Sequence, residues 1–180
     1  MAAKRFNLKL KKRIKSFSKT IEVDSDKSIS IRSFLISSIS QNISSVKNVL
    51  MSEDVLSTIK CLKKLGVDIK KKGTKEFQIY GKGLGSLFIS AKKAKLNFGN
   101  SGTLARLLIG ILATTPRVRV YFYGDSSLNK RSMKKLILLM SEFGASFFPK
   151  NKFNFPLKMH SSNFPIGIKY KAGVSAQLKS

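Results

Sequence analysis

The sequence predicts a mixed α/β (α+β) fold assembled from internal repeats, on three observations. Apolar residues recur at helical spacing in segments that alternate with short strand-like runs. Helix starts at Ser28, Ser101 and Ser175 lie 73 and 74 residues apart, the mark of a repeated structural unit. The second helix of each of the first two units is followed by a glycine, Gly66 and Gly144, at the position where helices are commonly stopped.

Element by element, residues 28–40 place Ile31, Phe34, Leu35 and Ile39 on one helical face, and the apolar run 46–50 reads as a strand. Ser52 caps a second helix: Glu53 and Asp54 suit the positive end of its dipole, Val55, Ile59, Leu62 and Leu65 share a face, and Gly66 ends it. Strands are expected at 67–71, 77–80 and 87–89, between Gly and Lys turns. The pattern then begins again with a strand at 96–98 and a helix over 101–114 that turns Leu104, Leu107, Leu108, Ile111 and Leu112 inward. A strand at 118–123 leads to a helix from about residue 130 carrying Met133, Leu136, Ile137, Met140 and Phe143. Strands near 145–148 and 155–160 close the unit.

Charge is the extreme feature of the composition. The 180 residues hold 35 Lys and Arg against 9 Asp and Glu, a net +26, yet 42% are hydrophobic, 13 are Phe and the mean hydropathy is −0.07, so a core can form. Lysine dominates, with 28 of the 35, and the charge is spread along the whole chain. That pattern reads as a solubilising surface, with no specific nucleic-acid partner, because Arg clusters, stacking aromatics and RNP or zinc-finger signatures are all missing. A basic nucleic-acid-binding module, favoured by the Lys-rich segment 4–19, is the rival reading from another class. One cysteine, Cys61, excludes an intrachain disulfide, and one histidine, His160, with no second Cys excludes the usual zinc ligand sets; both read as structural. The most apolar stretch, 107–112, is far short of the ~18–20 residues of a membrane span, and no apolar signal core follows Met1. A cytoplasmic protein with no membrane partner and no metal is expected.

Against this background the seven arginines are informative, since only a guanidinium offers a rigid bidentate fork to phosphate or carboxylate. Arg32, Arg106 and, in the third unit, Lys179 each lie about one turn into a helix, beside the free backbone N–H groups that attract anions. Asp26-Lys27-Ser28-Ile29-Ser30-Ile31-Arg32 opens the first helix, with Ser28 as its expected cap. Gly99-Asn100-Ser101-Gly102-Thr103 runs from strand into helix and lets the backbone approach an anion closely; it is not a Walker loop. The polar loop from Gly124-Asp125 places Arg131 near an expected helix start, where a cation costs a few tenths of a kcal/mol and so points to an anionic partner. Three such helix starts gathered about a pseudo-threefold axis would form one anion site. The third helix begins within six residues of the C-terminus, so the chain is expected to be cut within a larger fold.

In order and spacing these segments resemble the N-terminal part of the 5-enolpyruvylshikimate-3-phosphate synthases (3-phosphoshikimate 1-carboxyvinyltransferases), over residues 21–180. Five motifs carry the resemblance: 26–32, 48–54 with its Ser-Glu-Asp-Val, 99–106, the Gly124-Asp125 loop to Arg131, and Gly173-Val174-Ser175-Ala176-Gln177. The sister UDP-N-acetylglucosamine enolpyruvyl transferases share the architecture, but usually have Lys-Asn where this chain has Lys27-Ser28, so Ser28 with Arg32 favours the shikimate branch. The chain departs from the family pattern in Asp24-Ser25 for Pro-Gly, Ile31 for a common His, and Ser132 for Pro.

The resemblance implies an inside-out α/β barrel of repeated βαβαββ units, broken off in its third unit. Residues 1–20 would be a basic strand segment of a second, mostly absent domain, 21–90 the first unit, 91–163 the second and 164–180 the start of the third. It further implies that Lys27, Ser28, Arg32, Ser175, Ala176 and Gln177 bind shikimate 3-phosphate, and that Lys27, Asn100, Gly102, Arg131 and Gln177 bind phosphoenolpyruvate. Lys27 and Arg106 would be catalytic, no cofactor would be used, and the acid/base carboxylates would lie beyond Ser180. The complete enzyme would be a monomer, and this chain would need a C-terminal portion to act.

Overall fold

The computed structural model describes residues 23–87 and 94–171, with the single positions 9, 18 and 20. Helix α1, Lys27–Ile39, is capped by Asp26 and not by Ser28: the Ile29 N–H donates to the Asp26 carboxylate at 2.7 Å. A full negative charge at the cap satisfies an orphan N–H and meets the positive helix end, and Ser28 falls to the second helical position. Strand β1 is Ile43–Val46, earlier than the apolar run suggested. Asn48 adopts a left-handed φ of 53°, which ends the strand, and Val49 turns inward as a buried plug whose N–H donates to the Lys75 carbonyl at 3.0 Å.

Helix α2, Glu53–Lys64, follows its sequence signals: Ser52 accepts from the Val55 N–H, Val55, Leu62 and Leu65 are fully buried, and Gly66 sits at φ 81° just past the end. Strands β2, Asp68–Lys71, and β3, Phe77–Tyr80, complete a sheet of order β1-β3-β2, antiparallel throughout. Leu87 is buried outside any strand, and the rest of the strand expected there lies outside the described residues.

The second half comprises β4 (Ala94–Asn97), α3 (Gly102–Ala113), β5 (Arg119–Tyr123), α4 (Ser126–Lys130), α5 (Lys134–Glu142), β6 (Ser146–Phe148) and β7 (Leu157–His160). Its sheet runs β4-β5-β7-β6, with α3 as the crossover between the parallel pair β4 and β5 and the other pairs antiparallel. The order β5-β7-β6 repeats β1-β3-β2 in both sequence and sense, so the recurrence along the chain is a recurrence of topology. The expected third start, at Ser175, lies outside the described residues.

The helix expected from about residue 130 starts later, at Lys134, and a short helix, α4, stands where the polar loop was expected. Arg131 is extended (ψ 133°), and the Met133 N–H is taken by the Phe153 carbonyl at 2.7 Å while its side chain is buried, so the chain breaks between α4 and α5. Arg131 therefore ends α4 instead of opening a helix, and the dipole penalty inferred from its position does not arise.

The helices lie on the sheets over one continuous apolar core. Phe34 meets Phe77 edge-on at 5.3 Å between ring centres in the first half; Phe98 packs on Phe122 at 5.2 Å and Phe155 at 5.6 Å in the second. Each such side chain contributes about 1.5–3 kcal/mol of burial. Helix α1 packs on both α2 and α3, which sets the starts of all three helices close together. Helices α1, α3 and α5 also leave an open apolar groove of about 600 Å³ lined by Leu35, Ile36, Leu107, Ile111, Leu136 and Met140, among others. No helix among the described residues is long and apolar enough to cross a membrane.

Candidate anion-binding site

The close helix starts create a cleft of about 420 Å³ lined by Lys27, Glu53, Asp54, Asn100, Gly102, Thr103, Arg106 and Arg131. Five of the residues singled out from the sequence, Lys27, Asn100, Gly102, Arg106 and Arg131, thus share one cavity although they lie on three separate segments.

Two loops hold its floor. Gly99 takes φ 57°, and a Cβ there would stand 2.9 Å from the Ser57 hydroxyl, so the turn out of β4 requires glycine. Its carbonyl accepts from the Asp125 N–H at 2.9 Å, tying this loop to the one after β5. There Asp125 caps α4 through the Leu128 N–H, and the Asn129 amide closes back on the N–H and carbonyl of Gly124. The tie brings Arg131 Nη2 to Asn100 Oδ1 at 2.6 Å, with Ser127 Oγ at 3.4 Å. Beneath, the Cys61 thiol donates to the Asn97 carbonyl at 3.3 Å, and its burial pushes its pKa up to about 12, which keeps it neutral and inert.

Arg106 reaches back from α3 to donate to the Gly102 carbonyl at 3.1 Å. It and Arg131 flank Gly102 so closely that a Cβ there would lie 2.8 Å from one guanidinium and 3.4 Å from the other. Burial first, and the like charge of Arg131 second, lower the pKa of Arg106, the cost of gathering cations in a partly dry cleft. Among the described residues neither guanidinium forms an ion pair with a carboxylate. Lys27 does, with Asp54 at 3.0 Å. The cleft therefore presents two arginine forks and free N–H groups of a helix start, an arrangement suited to a phosphate or carboxylate.

Among the described residues, the other expected site residues, Ser28 and Arg32, do not line this cleft. Ser28 is half-buried in the first turn of α1, and Arg32, whose Nη1 approaches the Ser28 carbonyl at 3.5 Å, lines the apolar groove beside Arg106. Ser175, Ala176 and Gln177 are outside the described residues. Sequence reasoning missed Asp54 as part of the cleft, having read it as a helix-dipole residue and as the end of the 48–54 motif. The available signal was the excess of lysine, which makes every half-buried carboxylate a candidate ion-pair partner.

Comparison with known proteins identifies the family. The family model for EPSP synthase (3-phosphoshikimate 1-carboxyvinyltransferase) matches residues 11–180. The chain is 41% identical over 161 residues to the 3-phosphoshikimate 1-carboxyvinyltransferase of Thermoanaerobacter sp. (strain X514), covering 89% of this chain and 37% of that protein. With the enzyme of the same name from Caldicellulosiruptor bescii it shares 42% over 176 residues, 97% of this chain and 39% of the other. Among solved structures, EPSP synthase from Acinetobacter baumannii superposes with a TM-score of 0.80 at 32% identity, over 88% of this chain and 36% of that one. The chain thus spans well under half the length of the relatives it matches. With a family match over nearly its whole length and the same fold in a solved relative, the chain belongs to the EPSP synthase (3-phosphoshikimate 1-carboxyvinyltransferase) family.

Proposed function

We propose that this chain supplies the anion-binding part of an enzyme that transfers the carboxyvinyl group of phosphoenolpyruvate to the 5-hydroxyl of shikimate 3-phosphate, releasing phosphate. The observation that carries the reading is the convergence of Arg106 and Arg131 on Gly102 with no carboxylate partner among the described residues. Family membership then supplies the substrates, both of them phosphate esters bearing a carboxylate.

In this reading Arg131, Asn100 and Gly102 hold phosphoenolpyruvate, and Lys27 stands between it and the shikimate 3-phosphate held by Ser28, Arg32 and the turn Ser175-Ala176-Gln177. The 5-hydroxyl oxygen gives up its proton as it bonds to C2 of phosphoenolpyruvate, while C3 gains a proton; the C2–O bond then breaks, its electron pair leaving with phosphate, and C3 gives a proton up, restoring the double bond. Negative charge shifts onto the departing phosphate in the second step, and Lys27 and Arg106 are placed to stabilise it in a site partly shielded from water. Proton transfer falls to carboxylates contributed from outside this chain. No cofactor takes part, and the complete enzyme acts as a cytoplasmic monomer.

The test is phosphate release from both substrates by the purified chain, alone and after mixing with the remaining portion of a relative. The chain alone is expected to be silent, since losing positioned proton transfer forfeits a factor of roughly 10² to 10⁴ and an open cleft leaves the charges screened. Activity on mixing that disappears with Arg131→Ala supports the reading. Sub-micromolar, sequence-selective nucleic-acid binding at physiological salt, with no response to either substrate, would overturn it.

A further inference from the structure

We infer that Asp54 is the positioning residue of the cleft: it tethers the Lys27 ammonium in the cleft that Arg106 and Arg131 also line, and sets where an anion meets that charge. The inference rests on the functional reading above and adds to it a residue that works through Lys27.

Three observations carry it. Lys27 Nζ lies 3.0 Å from Asp54 Oδ2, whereas the other ion pairs among the described residues, Lys47–Glu76 and Lys70–Asp68, span 3.8 and 3.9 Å on the open surface. The Asp54 side chain is only 18% exposed and lines the cleft itself, whereas the Lys27 side chain is 48% exposed, so the carboxylate is the more enclosed partner and the lysine the one it holds. Lys27 is also the first residue of α1, at the positive end of the helix, in a chain of net +26. Both fields push an ammonium on a flexible four-carbon stem out toward solvent, and a carboxylate is needed to hold it in. Glu53, the other acid of the cleft, is exposed and makes no ion pair among the described residues.

The sign of the effect separates positioning from plain electrostatics. Removing a carboxylate from an anion site strengthens anion binding by Coulomb's law. Removing a tether weakens it, because the ammonium must then be ordered by the ligand itself.

The experiment titrates the 180-residue chain with phosphoenolpyruvate, followed by amide chemical shifts, in the wild type, Asp54→Asn, Asp54→Glu, Lys27→Ala and the Lys27→Ala/Asp54→Asn double variant. Asp54→Asn is expected to weaken binding roughly threefold or more, the size of a partly exposed ion pair. Asp54→Glu should recover most of that loss, and in the Lys27→Ala background the same Asp54→Asn change should leave binding unchanged or tighten it. Tighter or equal binding by Asp54→Asn with Lys27 present would overturn the inference.

A ligand-free measurement keeps the two readings apart. Relaxation of the Lys27 ε-methylene should show restricted motion beside exposed Lys60, and the restriction should vanish in Asp54→Asn. A Lys27 as mobile as Lys60 in the wild type overturns the tether whatever the titration shows. Restricted Lys27 without any phosphoenolpyruvate binding supports the tether and counts against the functional reading alone.

Discussion

Arg131 and Asn100 are joined across two loops by a hydrogen bond of 2.6 Å from Nη2 to Oδ1. One edge of the guanidinium is thereby spent on its neighbour, while Nη1 faces the space above Gly102. A lysine at 131 could make one contact or the other, but has no planar fork for both. Arg131→Lys should therefore weaken phosphoenolpyruvate binding about tenfold, with little effect from Arg117→Lys at an exposed turn. Equal affinities of the two variants in the same titration would refute the assignment of Arg131.

Gly102→Ala should damage the site and spare the fold. The added methyl meets only the far ends of Arg106 and Arg131, at 2.8 and 3.4 Å, and both can swing aside. Thermal denaturation should shift by no more than a few degrees, equivalent to under about 1 kcal/mol, while phosphoenolpyruvate affinity drops several-fold. A variant that melts much earlier would show that the glycine is needed for packing.

The cap of α1 gives a stability prediction with a built-in control. Asp26→Ala removes the acceptor of the Ile29 N–H and should cost about 1 kcal/mol in denaturant unfolding, and Ser28→Ala should cost far less. The reverse order would restore Ser28 as the cap.

Two glycines should respond oppositely to alanine. A Cβ on Gly124 would stand 2.5 Å from Leu128 Cδ2 and 2.6 Å from the Gly99 carbonyl, so Gly124→Ala should destabilise by about 1–3 kcal/mol and loosen the tie between the loops. Gly110, inside α3 with open space around it, should gain roughly 0.5–1 kcal/mol from helix propensity. Melting curves of the pair decide both.

Cys61 sets an alkaline limit. Its thiol is held at about 12 in the fold against 9.0 for a free thiol, so above pH 9 the unfolded chain ionises while the folded chain does not. Stability should fall between pH 9 and 12, and less steeply in Cys61→Ala, because the state that releases the proton gains population as pH rises. At pH 8 a thiol reagent should label the native chain slowly and the denatured chain fast.

Much of this was legible in the sequence where one local signal settled the matter. Ser52 with Glu53 and Asp54, and the glycines at 66 and 144, mark their helix ends because capping and left-handed turns depend on the residue itself. What the sequence hid depends on distant partners. The break after Arg131 needs the Phe153 carbonyl, twenty residues on, to capture the Met133 N–H, and the end of β1 follows from Val49 burying itself against another segment. In the cleft, the scarcity of arginine against lysine pointed to Arg106 and Arg131, while Asp54 came to light only through the packing of α1 on α2.

The repeated topology means that α1 and α3 occupy corresponding places, yet their first residues are Lys27 and Gly102. One copy puts a long cation at that point, and the other puts nothing larger than a hydrogen atom. With lysine at both, a second ammonium would crowd two guanidiniums; with glycine at both, the cleft would lose its lysine. The symmetry of the frame is thus broken at the helix starts: α1 brings its own cation into the cleft, whereas the start of α3 leaves the room that the guanidiniums of Arg106 and Arg131 fill.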